Sequence, residues 1–130
     1  MASDTTETTI ASDPAAVWAI VREFGGLDQW MPGIESCTLE GDDRLLGLMG
    51  ITIRERLLTR DDAKRSITYS IVESPLNLEH HEATITVNDA PEGSHVTYEV
   101  AATPDSALDI LVPTYSQALA ALKDKVEAGR

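Results

Sequence analysis

The order in which hydrophobic periods succeed one another constrains the fold of this chain more than any single motif does. Residues 5–11 form a polar, strand-like stretch, and two short helical stretches follow. In the first of these, Asp13 stands as a cap with Pro14 at the first helical position, and Val17, Ile20, Val21 and Phe24 fall at i, i+3, i+4 and i+7. Gly25-Gly26 ends that stripe, and a second short segment carries Trp30 into the Met31-Pro32-Gly33 turn. From Ile34 the period changes to two and holds through six stretches, after which one long helical stripe closes the chain. This order leaves few ways to bury the apolar faces: the sheet must curl, and the last helix must cover its hollow side.

The six stretches span 34–40, 44–48, 51–60, 64–73, 79–88 and 94–102. Gly41-Asp42-Asp43, Met49-Gly50, Asp61-Asp62, Ser74-Pro75-Leu76-Asn77 and Asp89-Ala90-Pro91-Glu92-Gly93 separate them. Links this short join antiparallel neighbours, so the strands form a meander. Asp105 or Ser106 caps the final helix, whose Leu108, Leu111, Val112, Tyr115, Leu119, Leu122 and Val126 share one side. Pro113 lies within that stripe and either kinks the helix or marks the start of its regular part. The expected fold is α+β: a single domain over 1–130, with a seven-stranded curved antiparallel sheet wrapped around a long C-terminal helix and two short helices after strand 1.

Charge and cysteine content narrow the function classes. A formal net charge of −12 repels phosphate backbones and anionic lipid surfaces, which argues against nucleic acid and membranes as partners. The lone Cys37 excludes an internal disulfide and suits a cytoplasmic protein. Residues 1–7 carry neither the basic nor the apolar region of a signal peptide, and no apolar run approaches the ~20 residues that cross a bilayer. Phosphate loops, nucleophile elbows, paired cysteines and calcium loops are all missing, so no cofactor and no metal is expected.

Strand alternation gives the inner face. Ile53, Glu55 and Leu57 share one side of the 51–60 strand, with Ile51, against Arg54 and Arg56 on the other. Ile67, Tyr69 and Ile71 line up in the next strand, then His81, Ala83, Ile85 and Val87, then Val96, Tyr98 and Val100. Glu55, Tyr69, His81 and Tyr98 are thus polar tips among aliphatic neighbours, and Tyr115 of the helix adds a fifth; Leu111 stands one turn before it. Apolar walls with a few orienting polar groups describe a ligand pocket, and equally a closed core with satisfied polar tips. Glu55 reads as a pocket acid raised by burial, or as a structural acid paired with Arg44 or a backbone amide. His81 reads as an acid–base group or as a satisfied buried histidine. Its neighbours His80 and Glu82 face the other way, so the three do not converge on a metal. Trp30 and Pro32 read as a gate opposite the 74–76 loop or as a hydrophobic plug, and Cys37 as an inert thiol in the wall.

Several segments resemble a known family. Ile10-Ala11-Ser12-Asp13-Pro14-Ala15-Ala16-Val17-Trp18, the Trp30-Met31-Pro32-Gly33 turn, Arg54-Glu55-Arg56-Leu57-Leu58, Ile67 to Leu76 and Ala83-Thr84-Ile85-Thr86-Val87 are similar to the SRPBCC / START-like helix-grip superfamily, in its polyketide cyclase/dehydrase and lipid-transport branch. Two departures stand out: the hairpin at Gly41-Asp42-Asp43 is short, and His81 replaces an aromatic residue common in relatives. The resemblance implies a cavity between sheet and helix for a small hydrophobic molecule of lipid, polyketide or isoprenoid type, in a monomer or homodimer. The site it suggests includes Trp30, Cys37, Arg44, Ile53, Glu55, Leu57, Ile67, Tyr69, His81, Ile85, Tyr98, Leu111 and Tyr115. A second reading is an aromatase/cyclase or dehydratase with His81 and Glu55 moving protons, and a third is an interaction module whose cavity is filled by side chains.

Overall fold

The structure, a computed structural model, describes residues 2–129. Met1 and Arg130, which the expected domain includes, lie outside the described residues. Seven strands form one antiparallel sheet: β1 (Ala2–Ile10), β2 (Ser36–Glu40), β3 (Asp43–Leu48), β4 (Ile51–Asp61), β5 (Ser66–Glu73), β6 (His80–Ala90) and β7 (Gly93–Thr103). The order β1-β7-β6-β5-β4-β3-β2 is the expected meander, with β1 added beside β7. Helix α1 (Pro14–Val21) and a 3-10 segment, Phe24–Gln29, follow β1, and α2 (Leu108–Ala128) ends the chain.

The strand limits differ from expectation for local reasons. β1 starts at Ala2 because its backbone pairs with β7 from Ala2↔Ala102 through Ile10↔Ser94, whatever the polarity of its side chains. β5 starts at Ser66 rather than at residue 64, since the Asp61 carboxylate accepts the Ala63 and Lys64 amides at 3.0 and 3.1 Å and holds them in a turn. Met49 and Gly50 both take positive φ, 50° and 78°, which matches a two-residue hairpin turn to strand twist.

The helix caps depart from the sequence reading. Asp13 precedes α1 with Pro14 at its start, yet its side chain makes no capping bond; its carbonyl accepts the Ala16 and Val17 amides instead. Neither Asp105 nor Ser106 caps α2. Both sit in a 3-10 turn before it, and Asp105 Oδ1 accepts the Ala2 amide at 3.1 Å. Pro113 lies inside α2, five residues after its start, so it does not mark the beginning of the helix.

Gly93 shows how the β6–β7 hairpin meets the rest of the fold. Its φ is +134°, and a Cβ there would stand 2.6 Å from the backbone N and O of Ser12. The hairpin tip thus abuts the β1–α1 corner, where Ser94 Oγ donates to the Ser12 carbonyl at 2.6 Å. The core lies between the hollow face of the sheet and α2, whose Leu111, Tyr115, Ala118, Leu119, Leu122 and Val126 are buried. On the outer face Arg54 and Arg56 clasp Asp43 at 2.8 Å each, as the alternation implied.

Candidate functional site

A cavity of about 290 Å³ separates α2 from the β3–β4–β5 part of the sheet. Leu46, Leu48, Ile51, Ile53 and Ile71 form its sheet wall, with Glu55 among them. Ile110, Leu111, Thr114 and Tyr115 contribute the helix wall, while Met31, Ile34, Pro75 and Leu76 close the ends. Ile51 and Ile110 are 42% and 55% exposed, so the cavity opens to solvent between the β3–β4 hairpin and the start of α2.

The polar groups beside it form two sets. Arg44 and Glu55 are cross-strand partners in β3 and β4, and period two turns both inward. Arg44 donates to Glu55 Oε1 from Nε at 2.8 Å and to the Phe24 carbonyl from Nη1 at 3.1 Å, and its Nη2 lies 2.7 Å from the same Oε1 in the ion pair. Its guanidinium also lies 4.0 Å from the Phe24 ring centre and 4.8 Å from that of Tyr69. Burial raises the Glu55 carboxyl above the usual carboxylate range, and the charge and hydrogen bonds of Arg44 pull against it. Glu55 is nonetheless the carboxylate of the pair. A guanidinium is always protonated, and a neutral partner would leave it a buried, uncompensated cation.

The second set is neutral. The Tyr69 and Tyr98 hydroxyls are hydrogen-bonded, and the Tyr98 and Tyr115 rings stack 4.1 Å apart. His81 Nδ1 accepts the Ile71 amide at 3.0 Å, and Nε2 meets Tyr115 Oη at 2.9 Å. An amide can only donate, so the lone pair sits on Nδ1 and the proton on Nε2, donated to Tyr115. Burial, assisted by the nearby charge of His80, lowers His81 to about 4. The three phenols are all raised, chiefly by burial, and stay protonated.

The residues expected to form the site divide into groups. Ile53, Glu55, Leu111 and Tyr115 line the cavity. Arg44, Tyr69, Tyr98 and His81 make up the polar layer just described. Trp30, Ile67 and Ile85 are elsewhere: they border a separate void of about 10 Å³, together with Arg44 and Tyr69. The Trp30 and Met31 amides both turn back to the Leu27 carbonyl, and in that tight turn it is Met31 that reaches the cavity. Trp30 is a core residue, 7% exposed, rather than a lip. Cys37 and Leu57 are half-buried against the core, and burial raises the Cys37 thiol. Leu46, Leu48, Ile71 and Ile110 are wall residues that the expected site omits. The first two share the face of Arg44 by simple alternation and were legible on that ground.

Among the described residues, no group of three or more His, Cys, Asp or Glu could hold a metal ion. No helix among them is long and apolar enough to cross a membrane.

A curved antiparallel sheet gripping a long helix, with an apolar cavity between them, defines a helix-grip domain. The chain belongs to the family described as polyketide cyclase / dehydrase and lipid transport, which matches over residues 1–127. Among solved structures it is similar to the protein XoxI from Bacillus cereus, at 32% identity over 97% of this chain and 96% of that one, with a TM-score of 0.90. An uncharacterized protein from Bacillus thuringiensis is 30% identical over 96% of this chain and 98% of that one, with a TM-score of 0.89. Ara h 8.0201 shares the fold at 17% identity, over 98% of both chains, with a TM-score of 0.77. No curated protein matches the chain.

Proposed function

We propose that this protein binds a small, mainly apolar molecule of lipid, polyketide or isoprenoid type in the cavity between the sheet and α2. The observation that carries the reading is the cavity itself: about 290 Å³ of space whose wall is aliphatic apart from Glu55, Thr114 and Tyr115. Each 200 Å² of apolar ligand surface covered there would contribute roughly 5 kcal/mol before the costs of association, at ~25 cal/mol per Å². The family description, which joins cyclases with lipid transport, agrees with such a site. Proton transfer by His81 draws less support. The lone pair of its ring is spent on the Ile71 amide, and the ring does not line the cavity.

Binding of the neutral fluorophore N-phenyl-1-naphthylamine tests the proposal, alongside native mass spectrometry for co-purified molecules. The wild type should bind the probe. Ile53→Trp, which fills part of the cavity, should lose most of that affinity while keeping its circular dichroism and Tm. A wild type that does not bind, or an Ile53→Trp protein that binds equally well, would refute the cavity as the site.

A further inference from the structure

The two oxygens of Glu55 are not equivalent. Oε1 receives the Arg44 Nε bond at 2.8 Å and is also the oxygen nearest Nη2, at 2.7 Å. Among the described residues no donor reaches Oε2, although the side chain is only 6% exposed. That oxygen is not sealed in, because among the described residues no enclosed side-chain oxygen or nitrogen lacks a partner; Oε2 therefore faces open space, and the space Glu55 borders is the cavity. The other polar groups of the wall are already engaged. Thr114 Oγ1 donates to the Ile110 carbonyl at 2.7 Å, and the Tyr115 hydroxyl oxygen accepts the His81 Nε2 proton at 2.9 Å.

We infer that the cavity selects apolar molecules ending in a hydrogen-bond donor, an alcohol or a phenol, and excludes those ending in a carboxylate. This rests on the cavity being the binding site and adds the chemistry of the ligand's polar end. A hydroxyl proton satisfies Oε2, which is an acceptor only. A carboxylate placed there would set two anions side by side in an apolar enclosure, with the Arg44 charge already committed to Oε1. An ester brings no donor and leaves Oε2 desolvated and unpaired. The net charge of −12 opposes anionic ligands at longer range as well. A cavity of about 290 Å³ takes roughly ten water-sized groups at ~30 Å³ each, which points to medium-length chains or one or two rings.

Calorimetric titration at pH 7.5 with 1-decanol, decanoate and methyl decanoate, each below its aggregation limit, tests this. Decanol should bind roughly tenfold or more tightly than either of the others, the cost of leaving a buried acceptor unpaired. Decanoate or the ester binding as tightly as decanol overturns the inference and leaves the cavity standing. Failure of all three to bind, while N-phenyl-1-naphthylamine binds, overturns it in the same way. If the fluorophore also fails, the cavity reading falls, and this inference with it. The double substitution Arg44→Met with Glu55→Leu removes the ion pair together with its charge imbalance, so the fold has no buried lone charge to relieve. In that protein the preference for decanol over the ester should shrink to within about threefold, since no acceptor is left to go unpaired. A tenfold preference persisting in the folded double variant would show that Glu55 does not set it.

Discussion

The buried His81 makes the stability of this protein depend on pH in a way that can be isolated. In the folded chain its imidazole is neutral to about pH 4; unfolded, it titrates at its ordinary 6.5. A protonated ring cannot accept the Ile71 amide, and it would carry a charge into a site that is 1% exposed. The lowered value means that the stabilisation is fully present above pH 6.5 and is lost as pH falls toward 4, where both states bind the proton. Over the whole interval the loss is about 3 kcal/mol, and roughly 2 kcal/mol of it has gone by pH 5.0. Urea unfolding at pH 7.5 and 5.0 of the wild type and of His81→Asn reads this directly. The Asn amide oxygen can take the place of Nδ1, but it does not titrate. The carboxylates, including Asp43 and Glu55, titrate in both proteins and cancel in the comparison. Wild type should lose about 2 kcal/mol more than His81→Asn between the two pH values. Equal losses would refute both the neutral tautomer and the hydrogen bonds that specify it.

Two further outcomes follow from the packing. Arg44→Met alone or Glu55→Leu alone should each cost about 3–5 kcal/mol by leaving one buried charge unpaired, whereas the double variant should fall close to wild type in chemical denaturation. Gly93→Ala should lower stability by roughly 1–3 kcal/mol in the same assay, because a φ of +134° and backbone atoms 2.6 Å away leave a Cβ no room.

Period and turn chemistry made most of the architecture legible. Alternation placed Tyr69, His81 and Tyr98 on one face, and the structure buries all three there. What alternation does not carry is the position of a side chain along the hollow. Ile53 and Ile67 both face inward, yet one lines the 290 Å³ cavity beside α2, while the other lies at the 10 Å³ void under the end of α1 and the Phe24–Gln29 segment. Of the two readings of Trp30, gate or plug, its burial agrees with the plug: in a tight turn adjacent residues diverge, and no spacing rule says which of Trp30 and Met31 turns outward. The caps differ from expectation because Asp13 and Asp105 have competing uses, one through its own carbonyl and the other as an acceptor for the first amide of β1. The tautomer of His81 depends on a contact with Ile71 of the neighbouring strand, which sequence spacing does not reveal.

The energetics of the inner face separate what holds the fold from what serves a ligand. The phenol–imidazole layer is neutral and hydrogen-bonded, so it adds polarity to the core without a charge to compensate. The Arg44–Glu55 pair is different, since hydrocarbon of the same volume would fill those two positions at no loss of stability, or with a gain. Its consequence for the molecule is electrostatic rather than cohesive. A guanidinium locked between Phe24 and Tyr69 fixes Glu55 Oε1, and Glu55 itself borders the cavity. Removing the pair would leave the cavity equally apolar in the rest of its wall but without the carboxylate by which, on our proposal, it tells one end of a ligand from the other. On the proposed function, the apolar volume would supply affinity, and the Glu55 carboxylate would set the orientation of the ligand's polar end.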